Sequence, residues 1–166
     1  MPSGIIPAAS KALVSVRKSR VHGNGVFAVR KIAAGTQIIE YAGERVSARK
    51  AAQRSGQDPD NPFHTFFFSL ESGKLIDGAS QGNDARWINH CCEPNCEARE
   101  EDGKIFIYAL TDIKRGQELN YDYGLVVEER HTAAVRRSYA CHCGASACRK
   151  TMLAPRKKSK KSGASA

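Results

Sequence analysis

The chain carries the segment Arg86-Trp87-Ile88-Asn89-His90-Cys91-Cys92-Glu93-Pro94-Asn95-Cys96. Asparagine, histidine and cysteine concentrate here without the amphipathic period of a segment that only fills a core. Asn and His side chains can fix an amide or a carboxylate of a ligand. A lone Asn-His pair more often belongs to a turn whose polar groups are hydrogen-bonded within the protein than to a ligand-binding site. The interpretation of this segment therefore depends on the motifs that accompany it.

A second polar segment, Asn120-Tyr121-Asp122-Tyr123-Gly124, follows a turn and a short predicted strand. Tyrosines at positions i and i+2 point to the same side of an extended chain. Taken alone, this pattern is typical of a half-buried strand.

Gly23-Asn24-Gly25 forms a predicted turn between two strands. The glycines remove side-chain bulk, which lets a ligand approach backbone N–H and C=O groups. A plain hairpin turn is the more common meaning, and the strand-helix context of a dinucleotide-binding fingerprint is absent.

The six cysteines fall into two clusters, Cys91, Cys92 and Cys96, and Cys141, Cys143 and Cys148. The N-terminus shows no basic start followed by an apolar stretch, so we expect no secretory signal and a reducing compartment, where clustered cysteines favour metal over disulfides. A closed structural zinc site needs four ligands. The C-terminal cluster supplies three, and Cys92 or His142 is a candidate for the fourth.

The composition is that of an ordinary globular chain: 166 residues, 41% hydrophobic and 26% charged, which fits one domain with a small appendage. No apolar run approaches the roughly 20 residues of a membrane span. The net charge of +9 is uneven, because residues 1–148 hold 19 basic and 17 acidic residues and the remaining seven basic residues follow. Such a basic end is a solvated, disordered tail or a non-specific contact for nucleic acid.

Short strands separated by glycine turns dominate the predicted secondary structure. Residues 47–54 predict a helix with Ser47 as its N-cap, and residues 128–137 predict a second short helix. The predicted strands are 13–16, 26–29, 37–41, 65–70, 74–77, 104–110 and 118–121. The chain is therefore predicted to be mainly β with few short helices.

In combination, these segments resemble the SET-domain protein lysine methyltransferases. The matching motifs follow the family's order: His22-Gly23-Asn24-Gly25-Val26-Phe27, Glu40-Tyr41-Ala42-Gly43-Glu44, the segment 86–96, and Gly116-Gln117-Glu118-Leu119-Asn120-Tyr121-Asp122-Tyr123. The segment from Cys141 through Lys150 resembles the family's post-SET motif. The resemblance covers about residues 13–153.

The resemblance implies several small, curved β-sheets with a pseudoknot-like crossing of the Asn-His and Tyr-Asp-Tyr segments. It implies S-adenosylmethionine on one face, a protein substrate on the other, and a narrow lysine channel between them. The implied organisation is a flexible lead-in (1–12), a SET domain (13–124), a connector (125–140), a post-SET zinc segment (141–153) and a basic disordered tail (154–166).

The resemblance also assigns roles to residues. Tyr123 is the expected catalytic residue, with Tyr41 and Tyr121 lining the channel. The expected cofactor-binding residues are His22, Gly23, Asn24, Gly25, Thr65, Phe66, Arg86, Asn89, His90, Met152 and Leu153. The four expected ligands of one structural zinc ion are Cys92, Cys141, Cys143 and Cys148. Cys91 departs from the family's usual Ser, and Phe66 stands where many members have Tyr.

The implied activity is methyl transfer from S-adenosylmethionine to the ε-amine of a lysine in a protein, with a histone tail as the expected substrate. The alternatives are a non-catalytic SET-like module that binds Lys-rich tails or chromatin, and a nucleic-acid-binding protein acting through its tail. We expect an intracellular protein without a membrane partner, located in the nucleus or on chromatin in a eukaryotic cell or host and otherwise in the cytoplasm.

Overall fold

The computed structural model of the protein describes residues 12–55 and 66–156. Within them, ten short strands form four small sheets, and two short α-helices and one 3₁₀ turn at Asp84–Trp87 accompany the sheets. The strands are β1 (Val14–Lys18), β2 (Asn24–Ala28), β3 (Gln37–Glu40), β4 (Glu44–Val46), β5 (Phe67–Ser69), β6 (Leu75–Asp77), β7 (Asn89–His90), β8 (Cys96–Glu101), β9 (Lys104–Ala109) and β10 (Asn120–Tyr121). The helices are α1 (Ala48–Arg54) and α2 (Ala133–Ser138). The predicted mainly β class is confirmed.

The largest pairing joins β8 and β9 in the sheet β3-β9-β8. The connecting turn places Asp102 at φ 50° and Gly103 at φ 71°, which is the backbone twist that a two-residue hairpin favours. The sequence did not predict β8, because four of its six residues, CEAREE, are charged. Pairing with the strongly apolar β9 along its whole length holds it in the sheet.

The sheet β4-β6-β5 contains the predicted hairpin, with Phe67 opposite Asp77 and Ser69 opposite Leu75. Helix α1 follows β4 and begins as predicted, since the Ser47 hydroxyl oxygen accepts a hydrogen bond from Lys50 N at 3.2 Å. Arg54 at the end of α1 forms ion pairs with Glu44 and Asp77. These contacts fix α1 against the edge of this sheet.

Helix α2 begins at Ala133, five residues after the start of the predicted helix 128–137. Thr132 caps it, because its side-chain Oγ1 accepts a hydrogen bond from Val135 N at 3.2 Å. Its last turn carries Arg136 and Arg137. No helix in the described ranges is long and apolar enough to cross a membrane.

The crossing of two distant segments is the central feature of the fold. β7 and β10 pair in parallel, with Asn89 opposite Asn120 and His90 opposite Tyr121. Asn95 N donates to Asn120 Oδ1 and Asn120 N donates to Asn95 Oδ1, both at 2.9 Å. Asn95 Nδ2 also donates to the carbonyl of Glu118 at 2.9 Å.

The strand that enters this crossing is also fixed on its other side. Leu119 N donates to the carbonyl of Val26 at 2.8 Å, and Phe27 forms an isolated bridge with Glu118. The segment 118–121 thus pairs with β2 at one end and with β7 at the other, which confirms the pseudoknot-like crossing.

The hydrophobic core surrounds the crossing and draws on every sheet. Its largest fully buried side chains include Val26, Ile88, Ile107, Ile113 and Leu119. Each such side chain contributes about 1.5–3 kcal/mol relative to an exposed position. The core therefore stabilises the backbone of β7 and β10, and their polar side chains can serve a site.

We expect Asn95→Ala to lower the free energy of unfolding by about 2–4 kcal/mol. The substitution leaves the backbone N–H of Asn120 and the carbonyl of Glu118 without a partner, and each unsatisfied buried group costs about 1–3 kcal/mol. Urea denaturation followed by circular dichroism measures the change. The matched control is Gln37→Ala, which removes an exposed amide at the start of β3. Equal stability of the two variants would contradict this role of Asn95.

Candidate active site

A cavity of about 220 Å³ lies beside the crossing. Of the residues predicted for catalysis or cofactor binding, five line this first cavity: His22, Asn89, His90, Tyr123 and Met152. Six others complete its wall, namely Val21, Arg137, Ser138, Ala140, Cys141 and His142. The sequence had given these six no role in a cavity, although Cys141 and His142 were candidate metal ligands.

Asn89 organises the loop at one end of this cavity. Its side-chain amide donates to the carbonyl of Asn24 at 2.9 Å and reaches the carbonyl of His22 at 3.3 Å. Asn89 is only 9% exposed, so the hydrogen bonds hold the 22–25 turn in place. The turn also closes on itself, because Ser19 N donates to the carbonyl of Gly23 at 2.9 Å.

Glu118 contacts this site, although the sequence analysis gave it no role. Its carboxylate accepts from Asn89 Nδ2 at 2.9 Å and from the Ser19 hydroxyl at 2.8 Å. A Cβ at position 25 would collide with this carboxylate, so a larger residue there would displace the Glu118 side chain from Asn89. The signal was present, because Glu118 lies inside the quoted motif 116–123.

His90 connects the cavity to the cysteine cluster. Tyr123 N donates to His90 Nδ1 at 3.0 Å, and His90 Nε2 lies 3.4 Å from Cys92 Sγ. Burial lowers the pKa of His90, although the charge of Asp122 opposes that shift. A neutral imidazole that carries its proton on Nε2 satisfies both contacts.

A second cavity of about 460 Å³ contains the remaining channel residues. Tyr41, Arg86, Tyr121, Tyr123 and Met152 line it together with Phe67, Phe68, Ser69, Gly124, Leu125 and Val126. Tyr123 and Met152 line both cavities, so the two cavities meet at these side chains. These two side chains therefore form a wall that the two cavities share.

The tyrosines of these cavities are fixed by hydrogen bonds and ring contacts. Tyr123 Oη donates to the carbonyl of Ile88 at 2.5 Å, and Tyr41 Oη donates to the carbonyl of Phe66 at 2.7 Å. The ring centroids of Tyr121 and Tyr123 lie 4.9 Å apart, as expected for two tyrosines on one side of an extended chain.

All three tyrosine hydroxyls stay protonated near neutral pH. Burial raises the pKa of Tyr121 well above its usual value. Burial also raises the pKa of Tyr41 and of Tyr123, and nearby Glu118 adds to the effect on Tyr123. The site therefore presents neutral hydroxyl groups and no phenolate base.

Six predicted cofactor residues do not line the first cavity: Gly23, Asn24, Gly25, Phe66, Arg86 and Leu153. Arg86 lines the second cavity, with its guanidinium 4.8 Å from the ring of Trp87. Phe66 packs edge-on against Trp87, with ring centroids 5.3 Å apart. Leu153 is 1% exposed and forms an isolated bridge with Leu125. Thr65 lies outside the described residues.

The cysteine cluster consists of Cys92, Cys141, Cys143 and Cys148, whose Sγ atoms all lie within 4.8 Å of one another. Zn–S bonds of about 2.3 Å in a tetrahedron place sulfurs about 3.8 Å apart. Cys92 Sγ and Cys141 Sγ are 3.8 Å apart. The four thiols therefore fit a zinc ion, and Cys92, not His142, completes the group.

Backbone amides support the thiolate form of this cluster. Arg149 N donates to Cys92 Sγ, Cys143 N to Cys141 Sγ and Lys150 N to Cys148 Sγ, each at 3.4 Å. Such N–H···S bonds orient metal ligands. Cys96 lies apart from the cluster in the core, where burial raises its pKa to about 12.

The chain belongs to the SET-domain family, since the SET domain model matches residues 23–124. It is 35% identical over 144 residues to "Histone-lysine N-methyltransferase trithorax" of Drosophila melanogaster, covering 84% of this chain and 4% of that protein. It is 37% identical over 145 residues to "Histone-lysine N-methyltransferase 2B" of Homo sapiens, covering 85% of this chain and 5% of that protein. The chain thus spans a small part of the length of these relatives.

A solved structure, "ctPRC2 in an autoinhibited conformation bound to S-adenosylmethionine", shares the fold with a TM-score of 0.62 and 31% sequence identity. The similarity covers 69% of this chain and 15% of that one. This structural neighbour and the family match agree with the crossing and the small sheets described above.

We expect one zinc ion per chain, and Cys143→Ser to lose it. The substitution replaces one of four thiolate ligands, and metal binding contributes directly to folding free energy. Elemental analysis of the purified protein measures the metal content, and a thermal melt measures the accompanying loss of stability. Cys96→Ser is the matched control and should keep the metal. Loss of zinc from Cys96→Ser, or its full retention in Cys143→Ser, would show that the ligand set is wrong.

Proposed function

We propose that this chain transfers a methyl group from S-adenosylmethionine to the ε-amine of a lysine in a protein substrate, with a histone tail as that substrate. The observation that carries the proposal is the meeting of two cavities at Tyr123 and Met152. A cofactor in the first cavity and a lysine in the second would meet there. The names of the SET-domain relatives support a histone substrate.

The reaction requires alignment more than a nucleophilic side chain. The methyl group of a sulfonium is already electrophilic, and the attacking lysine must lose its proton, although its ordinary pKa is about 10.4. Desolvation in a channel lined by Tyr41, Phe68 and Tyr121, together with the sulfonium charge, lowers that pKa. Holding amine, methyl carbon and sulfur in line then contributes several kcal/mol as a proximity effect.

In this proposal, Tyr123 acts on the reacting atoms. Its hydroxyl proton is donated to the carbonyl of Ile88. The lone pairs of the oxygen are therefore available to accept hydrogen bonds from the polarised methyl group of the cofactor or from the lysine amine. Tyr41 is held by the carbonyl of Phe66 and borders the second cavity. Its role in this proposal is to orient the amine.

The cofactor's place is the first cavity. His22 lines this cavity, and Asn89 holds the carbonyls of His22 and Asn24, whose backbone is proposed to contact the cofactor. His90 holds the backbone of Tyr123, and Met152 covers one side. The zinc ion would order residues 141–153, which form the opposite wall. A histone substrate would place the protein on chromatin, and therefore in a nucleus.

We expect Tyr123→Phe to reduce the methyl-transfer rate at saturating cofactor by about tenfold or more, equivalent to about 1.4 kcal/mol of barrier. The phenyl ring keeps its packing against Tyr121, and only the oxygen at the reacting centre is lost. The measurement is radiolabel transfer from S-adenosylmethionine to a peptide from the histone H3 tail, with the cofactor Kd measured by calorimetry. An unchanged rate would show that Tyr123 has no catalytic role.

Asn89→Ala should show the opposite pattern, a cofactor Kd raised about tenfold or more. It removes hydrogen bonds to the carbonyls of His22 and Asn24, and each lost bond contributes about 1 kcal/mol. In Asn89→Ala, the methyl-transfer rate at saturating cofactor should fall by a smaller factor than the cofactor affinity. This pattern distinguishes Asn89 from Tyr123. Folded, zinc-loaded wild-type protein that binds the peptide but transfers no methyl group would favour the non-catalytic binding module.

We expect the main product to be monomethyl-lysine, with dimethylation slower and trimethylation minor. Tyr121 is buried and borders the second cavity, where its hydroxyl can hold water or the amine itself. Either contact occupies the space that a methylated amine needs for a second transfer. Tyr121→Phe should shift the product toward di- and trimethyl-lysine without abolishing activity. Time-resolved mass spectrometry of one peptide tests both statements, and predominant trimethylation by the wild type would contradict them.

A further inference from the structure

The C-terminal part of the chain contains basic residues and no acidic ones. The last acidic residue is Glu129, and residues 130–166 hold ten basic residues. Six of them lie in the described range 130–156: Arg130, Arg136, Arg137, Arg149, Lys150 and Arg156. A zinc ion bound by three thiolates of this range and by Cys92 would still leave the range strongly positive.

Four of these arginines surround one concave site, which we call the arginine cavity. It measures about 670 Å³ and is separate from the first two cavities. Its lining consists of Arg130, His131, Arg136, Arg149, Thr151, Leu153, Ala154, Pro155 and Arg156. No carboxylate lines it.

Only some of the arginines that line this cavity pair with other groups of the protein. Arg149 is paired with Asp122 through two hydrogen bonds of 2.9 Å, and Arg136 Nη2 donates to the carbonyl of Arg149 at 3.2 Å. Arg130 and Arg156 are exposed and form no ion pair with any residue in 12–55 or 66–156. The cavity therefore offers guanidinium groups to an external anion.

The arginine cavity lies behind the proposed active site. Thr151 and Leu153 line it, whereas Met152 lines both the first and the second cavity. Successive side chains of an extended segment point to opposite sides, so residues 151–153 separate the anion site from the methyl-transfer site. The arginine cavity and the proposed methyl-transfer site therefore lie on opposite sides of this short segment.

We propose that the arginine cavity binds the phosphodiester backbone of duplex DNA and holds the protein beside its substrate. The planar guanidinium donates two parallel hydrogen bonds to one phosphate, a geometry that suits phosphate recognition. Lys157, Lys158, Lys160 and Lys161 lie outside the described residues and add four positive charges to the sequence after Arg156. The DNA contact does not depend on methyl transfer, although its use beside a DNA-wrapped histone rests on the proposed function.

Other anionic surfaces fit less well. Insertion into a membrane surface needs an apolar face, and the exposed large hydrophobic residues of the described chain, Val29, Leu110 and Val126, do not line this cavity. An acidic protein segment offers carboxylates rather than a regular line of phosphates. DNA supplies such a line at constant spacing and binds through counterion release.

The test is fluorescence anisotropy with a short fluorescein-labelled DNA duplex, titrated with full-length, zinc-loaded protein at several salt concentrations. The variant Arg130→Gln/Arg156→Gln should bind more weakly than the wild type. It should also lower the slope of log K against log salt by about two, because each lost phosphate contact lowers the slope by about one. Arg49→Gln/Arg115→Gln removes the same charge from exposed positions outside the cavity and should keep the wild-type slope.

Three results would overturn the proposal. The first is an unchanged slope in the Arg130/Arg156 variant. The second is loss of all salt-dependent binding when only the four lysines at 157, 158, 160 and 161 are changed to Gln. The third is competition by a polyglutamate peptide as effective as competition by unlabelled DNA, which would indicate an acidic protein partner.

The same variants separate this proposal from the proposed function. Arg130→Gln/Arg156→Gln should methylate a short free peptide at the wild-type rate, because neither residue lines the first or second cavity. If the wild-type protein binds DNA through these arginines and methylates nothing, the DNA contact stands and the methyl-transfer proposal fails. If the wild-type protein methylates the peptide and its DNA binding does not depend on Arg130 and Arg156, only the DNA proposal fails.

Discussion

The parallel pairing of Asn89-His90 with Asn120-Tyr121, locked by the reciprocal Asn95–Asn120 hydrogen bonds, is the constraint on which the rest of the structure depends. It brings together segments that lie about thirty positions apart in the sequence. From this one crossing, the Asn89 amide reaches the 22–25 turn and His90 reaches both Cys92 and the backbone of Tyr123. The crossing therefore positions the candidate cofactor, lysine and metal sites together.

The metal cluster and the cavities are mechanically linked through the C-terminal segment. Cys141 belongs to the cluster and also lines the first cavity, while Met152 lies between the first and second cavities. This segment forms few strands, and its pairing is confined to isolated bridges such as Ala140 with Thr151. A zinc ion would supply the order that a small core cannot, because the energy of metal binding becomes energy of folding.

The sequence predicted what depends on local pattern and on combined motifs. The Ser47 cap, the hairpin of β5 and β6, the facing Tyr121 and Tyr123, and the mainly β class are confirmed. Strand β8 was missed because its charged sequence becomes a strand only through pairing with β9. The hydrogen bond from Asn89 to Glu118 was missed because it depends on the three-dimensional crossing. The sequence also could not show that the Arg86 side chain borders the second cavity.

The most direct test of this account is mass spectrometry of histones after incubation with zinc-loaded protein and S-adenosylmethionine bearing a deuterated methyl group. The account predicts one deuterated methyl group on the ε-nitrogen of a histone lysine and its near absence when Tyr123 is replaced by Phe. No label on any lysine, neither on the histones nor on the protein itself, would contradict the account if the same folded sample binds the cofactor.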